Sequence, residues 1–292
     1  MPTPVLNDPI AAQQALLAKD AEDMFDPHPD HWNPAGAAVA AKGWNIVGYF
    51  TAANALLNGQ TVGLGDRVYF GFLARSAQQS NQYVAVIRGT EQFVEWAENV
   101  EAVPEPHPSG GHVEQGFFSI YRSMLYTPAT QMVPNIGAGG DPKAAQGIVG
   151  ALPAGASVTI IGHSLGAALG TYLMLDTTVA AAGQIAVSGS FFASPNTGNG
   201  TFVKHVDQTA PRYTLYNYWL DIVPRVPLRI PFDPLEIGYQ PLPKARWISN
   251  NNRQARIKND VFCNHHAYCY AAMLDYSVVA GMTGVSCVIG KA

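Results

Sequence analysis

Ser164 lies in the stretch SVTIIGHSLGAAL (157–169), midway between Gly162 and Gly166. A serine hydroxyl is a weak nucleophile until a base takes its proton, so this stretch does chemistry only if a histidine and a carboxylate meet it. The bare pattern Gly-x-Ser-x-Gly would arise by chance in roughly one chain of this composition in eight, so its setting decides. Here a β-branched run gives way to an alanine-rich helix, the strand-turn-helix context of a nucleophile elbow. The two glycines leave space where a Cβ would collide as the chain reverses, and the first amides of the helix point back toward the hydroxyl.

A carboxylate and then a histidine must follow in the chain. Asp221 comes just after the tyrosine-rich run YTLYNYWL, at the strand edge where such sites assemble, and Val223-Pro224 and Val226-Pro227 stiffen the loop around it. Asp176 ends a helix instead, and Asp207 and Asp233 fall in polar or proline-rich loops. His265 and His266 precede an apolar, helix-like segment, and the residues by themselves leave either as the base. Cys263, His265, His266 and Cys269 match no common zinc spacing, so neither a metal nor a cofactor is expected.

The elements that must position these groups are read from periodicity. RVYFGFLARS (67–76) and QYVAVIRG (82–89) flank the polar turn AQQSNQ and read as a hairpin or meander. SVTII is β-branched after its first residue, as a strand covered on both faces should be. QIAVSGSFF and RYTLYNYWL supply further strands, and GAALGTYLMLD is helical in spacing. Strand and helix alternate through the middle of the chain, which predicts an α/β fold with a mostly parallel or mixed central sheet flanked by helices. Helices are also expected at AAQQALLAKDAEDMF (11–25) and VGYFTAANALL (47–57), so residues 1–65 read as a helical elaboration of a single domain spanning 1–292.

Composition narrows the partners. The 292 residues are 48% hydrophobic and 13% charged, with a net charge of −4 and interspersed signs. That leaves no basic footprint for nucleic acid. No apolar run approaches the roughly 18 residues of a membrane span, and the first residues lack the charged and apolar regions of a signal peptide. The expectation is a soluble chain, extracellular if it is a processed form and cytoplasmic otherwise, of undetermined oligomeric state. Three cysteines, Cys263, Cys269 and Cys287, leave at least one thiol unpaired. A disulfide, with Cys263 and Cys269 the nearest pair in sequence, and reduced buried thiols are both open.

Six segments in order resemble the fungal-type, class 3 triacylglycerol lipase family of the α/β-hydrolase fold: VAVIRGT (84–90) with Trp96 six residues on, QGFFSIY (115–121), VTIIGHSLGAALG (158–170), FFASPNTGN (191–199), NYWLDIVPRVP (217–227) and CNHHAYCY (263–270). The resemblance implies a serine esterase of acyl glycerols, with Ser164 as nucleophile, Asp221 as orienting carboxylate and His265, by its spacing to Tyr268 and Tyr270, as base. It implies an oxyanion hole from Thr90 and the backbone N–H of Leu165. It also implies a lid over the amphipathic stretch EQFVEWAENVEAV, where Phe93, Trp96, Ala97 and Val100 share one helical face. The prolines at 104, 106 and 108 and the glycines at 110 and 111 would form its far hinge. The partner implied is a lipid or ester substrate, with or without a lipid-water interface. Phospholipase A1, a soluble-ester (feruloyl-type) esterase and an inactive binding module are the alternatives. One departure stands out: Glu114 occupies the place where the family commonly has a histidine, so that residue's local hydrogen bond must be rebuilt.

Overall fold

The computed structural model describes residues 5–24, 36–53, 67–90, 103–129, 141–227 and 238–292. Among these, a central sheet has eight strands: β1 (Trp44–Ala53), β2 (Arg67–Ser76), β3 (Gln82–Ile87), β4 (Leu125–Pro128), β5 (Ser157–His163), β6 (Ala186–Phe192), β7 (Tyr213–Tyr218) and β8 (Ala245–Ile248). Their spatial order is β8-β7-β6-β5-β3-β2-β1-β4. The half from β3 to β8 is parallel, with Ile87 opposite Gly162 and His163 opposite Phe192, whereas β1, β2, β3 and β4 pair antiparallel. The sheet is therefore mixed, as the alternation of elements predicts.

Helices cover both faces: α1 (Pro9–Asp23), α2 (Gln115–Ser123), α3 (Ala144–Ala151), α4 (Leu165–Ala181), α5 (Gly200–Thr209) and α6 (Ala267–Leu274). The two-residue period of the strands divides the core. Ala85, Ile87 and Ile160 face Phe117 of α2, Ile148 of α3, and Leu169 and Leu173 of α4. Val84, Val86 and Ile161 face Leu16 and Leu17 of α1 and Tyr270 and Met273 of α6. Helix α1 begins where Asp8 accepts a hydrogen bond from the Ala11 amide and Pro9 takes the first turn, and its alanine-rich side is buried.

The structure bears on four of the readings made from the sequence. The stretch expected as helix from residue 47 is strand β1 as far as Ala53, and residues 54–57 lie outside the described residues. A Cβ on Gly48 would come within 2.3 Å of the Tyr126 ring on β4, and buried Tyr49 and Phe50 go to opposite faces of the sheet, a strand period overriding the helical count. Glu114, where a histidine was expected, caps α2, its carboxylate accepting from the amides of Gly116 (3.0 Å) and Phe117 (2.7 Å). Pro104–Pro106, expected as hinge, pairs antiparallel with His112–Glu114. The disulfide joins Cys263 to Cys287, not to Cys269, because pairing of Ala255–Ile257 with Val288–Lys291 brings Cys287 back beside Cys263 while Cys269 is a buried free thiol in α6.

Candidate active site

Strand β5 ends at His163 and helix α4 begins at Leu165, so Ser164 alone makes the turn. Its backbone sits at φ 58°, ψ −128°, a region costly for a side chain bearing a Cβ, and its amide donates to the Phe192 carbonyl on β6 at 3.0 Å. Both flanking glycines are required. A Cβ on Gly162 would lie 2.2 Å from the Gly166 carbonyl oxygen, and one on Gly166 would lie 2.3 Å from that of Ile87.

Asp221 stands three residues beyond β7, in a turn closed by its own amide donating to the Tyr218 carbonyl. Its two oxygens divide the work. Oδ1 accepts from the Val223 amide at 2.9 Å, and Oδ2 accepts from His265 Nδ1 at 2.9 Å and from the Tyr270 hydroxyl at 2.7 Å. His265 closes a short helix, Val261–His265, whose first amides are capped by Asp260. Its Nε2 is 2.8 Å from Ser164 Oγ. A carboxylate only accepts, so Nδ1 carries the proton and Nε2 presents a lone pair to the serine hydroxyl. Serine, histidine and aspartate thus form one continuous hydrogen-bonded line, with Ser164 0%, Asp221 1% and His265 5% exposed.

The other candidates are engaged elsewhere. His266 lays its ring on Tyr268, centroids 4.1 Å apart, and burial pushes its pKa down to about 4, so it stays neutral. Asp176 accepts from Tyr121 at 2.6 Å, Asp207 pairs with Lys244, and Asp233 lies outside the described residues. The disulfide removes Cys263 as a zinc ligand, and no group of three or more His, Cys, Asp or Glu side chains among the described residues is arranged to hold a metal ion.

Gly89 and Leu165 flank Ser164 from two elements. Leu165 follows it as the first residue of α4. Gly89 touches it: a Cβ there would lie 3.2 Å from the serine Cβ, which sets Thr90 one residue from the elbow. Arg88 braces this loop. It is buried, and it donates from Nε to the Tyr69 carbonyl (2.8 Å) and from a guanidinium nitrogen to the Gly89 carbonyl (2.9 Å), stacked over Phe70. The expected lid residues Phe93, Trp96, Ala97 and Val100 lie outside the described residues.

Sequence reasoning overlooked Arg88 and Tyr270 as site residues. Tyr270 is fully buried, and burial together with the Asp221 charge holds its phenol pKa well above the ordinary value, so it remains a donor. It also accepts from the Tyr218 amide at 2.9 Å, joining α6 to the end of β7. Its place in the CNHHAYCY segment was the available signal.

A profile of the family Lipase (class 3) matches residues 84–230, half the chain. The chain belongs to the class 3 lipase family. The chain is 29% identical over 163 residues to phospholipase A(1) DAD1, chloroplastic, of Arabidopsis thaliana, a match covering 49% of this chain and 33% of that protein. The chain thus spans about a third of the length of the curated relative it matches. Among solved structures it is similar to a Rhizomucor miehei lipase in a propeptide complex, with TM-score 0.56 and 18% identity over 90% of this chain and 77% of the other. It is also similar to a lipase from Rhizopus microsporus var. chinensis, with TM-score 0.55 and 21% identity over 84% and 76% of the two chains. At such identities the shared feature is the fold, the α/β-hydrolase arrangement. No helix among the described residues is long and apolar enough to cross a membrane.

Proposed function

We propose that the chain, as one domain that includes residues 1–65, is a serine esterase that cleaves carboxylic ester bonds of acyl lipids, with acyl glycerols as the substrate. The observation that carries this reading is the unbroken line from Ser164 Oγ through His265 to Asp221, with distances of 2.8 and 2.9 Å. His265 Nε2 takes the serine proton as Oγ attacks the ester carbonyl, and the carbonyl π electrons move to the oxygen. The amides of Thr90 and Leu165 hold that oxyanion, for which each such donor contributes about 10²- to 10³-fold in rate. Collapse of the tetrahedral adduct expels the alcohol, which leaves with the proton from His265. Water, deprotonated by the same nitrogen, then attacks the acyl-serine, and collapse of this second adduct releases the fatty acid as Ser164 Oγ leaves with the proton returned by His265. Asp221 keeps the imidazole in the tautomer that makes both transfers possible and offsets its transient charge.

The relative from Arabidopsis thaliana is a phospholipase A(1), and that match supports a second reading in which the ester cleaved belongs to a phospholipid. Hydrolysis measured across p-nitrophenyl esters of increasing chain length, emulsified triglyceride and phospholipid vesicles separates the two. Ser164→Ala should lower every one of these activities by about 10³-fold or more. Activity retained in that variant would end the esterase assignment. Full burial of Ser164 supports gated access, with the gate assigned by family resemblance to Phe93, Trp96, Ala97 and Val100. A rise in rate above the substrate's solubility limit is then expected, whereas flat kinetics across that limit would assign a soluble-ester enzyme.

A further inference from the structure

His163, the residue before the nucleophile, is buried and bridges two distant parts of the chain. Its Nε2–H donates to the backbone carbonyl of His265 at 2.6 Å, and its Nδ1 lies 2.9 Å from Oε1 of Glu22 on α1. The carbonyl it meets closes the five-residue helix Val261–His265, too short to satisfy its own last carbonyls. The rings of His163 and His265 are 4.7 Å apart. Glu22 also borders the oxyanion loop, since a Cβ on Gly89 would come within 2.7 Å of its Oε1.

Two acceptors, a carbonyl and a carboxylate, face the two nitrogens of one imidazole, so the geometry fits an imidazolium paired with Glu22. The electrostatics agree. Burial works against both charges, yet the mutual attraction and hydrogen bond lower the Glu22 pKa and raise that of His163. Lys19, His266 and Asp221 are the other charged or titratable groups acting on the pair.

We propose that Glu22 and His163 are positioning residues for the esterase reaction: they clamp the backbone carbonyl of His265 to the end of β5 and so fix the general base against Ser164. The inference rests on the reading of His265 as base. It makes α1 a working part of the site, because Glu22 reaches across 141 residues of sequence to the nucleophile elbow. The line from serine to aspartate orients the imidazole at its tip, and the clamp holds it at its root.

The test uses the full chain and a soluble p-nitrophenyl alkylphosphonate, whose labelling rate at Ser164 reads nucleophile activation without any lipid surface. Steady-state kcat and KM for a short soluble ester are measured alongside, well below each variant's melting temperature. Glu22→Ala and His163→Phe should label about 10- to 100-fold more slowly, as a small displacement of a reacting group does, with kcat falling and KM nearly constant. Glu22→Gln should recover most of the rate lost in Glu22→Ala, because its amide can donate to Nδ1 and leave Nε2–H for the carbonyl. In the His163→Phe background, adding Glu22→Ala should cost nothing further. Folded variants that label at the wild-type rate, no recovery in Glu22→Gln, or additive losses in the double variant would each overturn the clamp while leaving the esterase reading intact. A wild-type protein that the phosphonate does not label at Ser164 would overturn both. If Glu22→Ala does not fold, His163→Phe and Glu22→Gln still decide the matter: slow labelling in the first beside nearly wild-type labelling in the second supports the clamp, and wild-type labelling in His163→Phe overturns it.

Discussion

At the scale of single residues, the carboxylate of Asp221 makes three hydrogen bonds in a fully buried place, and each has a separable consequence. Asp221→Asn puts an amide where the Nδ1 proton must be accepted, which favours the wrong imidazole tautomer. A loss in kcat of about 10⁴-fold is expected, with melting temperature little changed. Tyr270→Phe removes only the phenol donor, so a smaller loss of about 3- to 10-fold in kcat is expected, together with a weaker tie between α6 and β7. Equal losses in the two variants would mean that the tyrosine, and not the aspartate, orients the base. The turn at Ser164 and the strand-end place of Asp221 were legible in the sequence because each carries local punctuation: glycines around a sharp turn, prolines after a strand end. The choice between His265 and His266 was not, because adjacent residues share every pattern and differ only in direction. Arg88 and Glu22 carried no local mark at all, since what each does depends on partners brought to it by the fold.

Among the elements, helix α1 illustrates how much of a site can come from outside its motifs. Its existence was legible from the helical spacing of AAQQALLAKDAEDMF, but neither its Asp8-Pro9 start nor its register against β5 was. That register sets Glu22 on His163, and a pH dependence of stability follows. Glu22 has a lowered pKa in the folded chain, so its contribution is present above the ordinary carboxylate value of 4.5 and is lost as pH falls through the lowered value. His163 has a raised one, so its contribution is present below the ordinary imidazole value of 6.5 and is lost as pH rises through the raised value. The melting-temperature difference between wild type and Glu22→Gln should therefore be greatest between these two values and shrink on both sides. A difference that is flat across that range would remove the ion pair. Strand β1 teaches the converse lesson. Its run VGYFTAA allowed helical spacing, but Gly48 against Tyr126 and the pairing with β2 and β4 favour the extended form, and neither contact is local in sequence.

For the whole molecule, the parallel half of the sheet gathers Ser164, Asp221 and the loop of Gly89 at one edge, while His265 arrives on a separate C-terminal segment. The Cys263–Cys287 disulfide staples that segment into a closed loop containing His265, Tyr270 and α6, across a sequence separation of 24. The alternation of strands and helices made the sheet legible, but three cysteines near the C-terminus could not reveal their pairing, which depends on strand pairing at the end of the chain. Loop closure of this length stabilises the folded state by about 3 kcal/mol, mainly by restricting the unfolded chain. Because that contribution acts on the unfolded state, it separates stability from activity. Cys287→Ser should unfold at lower urea, by about 3 kcal/mol, and dithiothreitol should shift the wild-type transition the same way without shifting that of the variant. The folded variant should still react with the phosphonate at nearly the wild-type rate at low temperature, because Asp221, Ser164 and His163 hold His265 independently of the bridge. If labelling instead falls in proportion to the fraction of reduced protein while the fold persists, the bridge itself sets the position of the base, and the three hydrogen bonds to His265 are too weak to hold it alone.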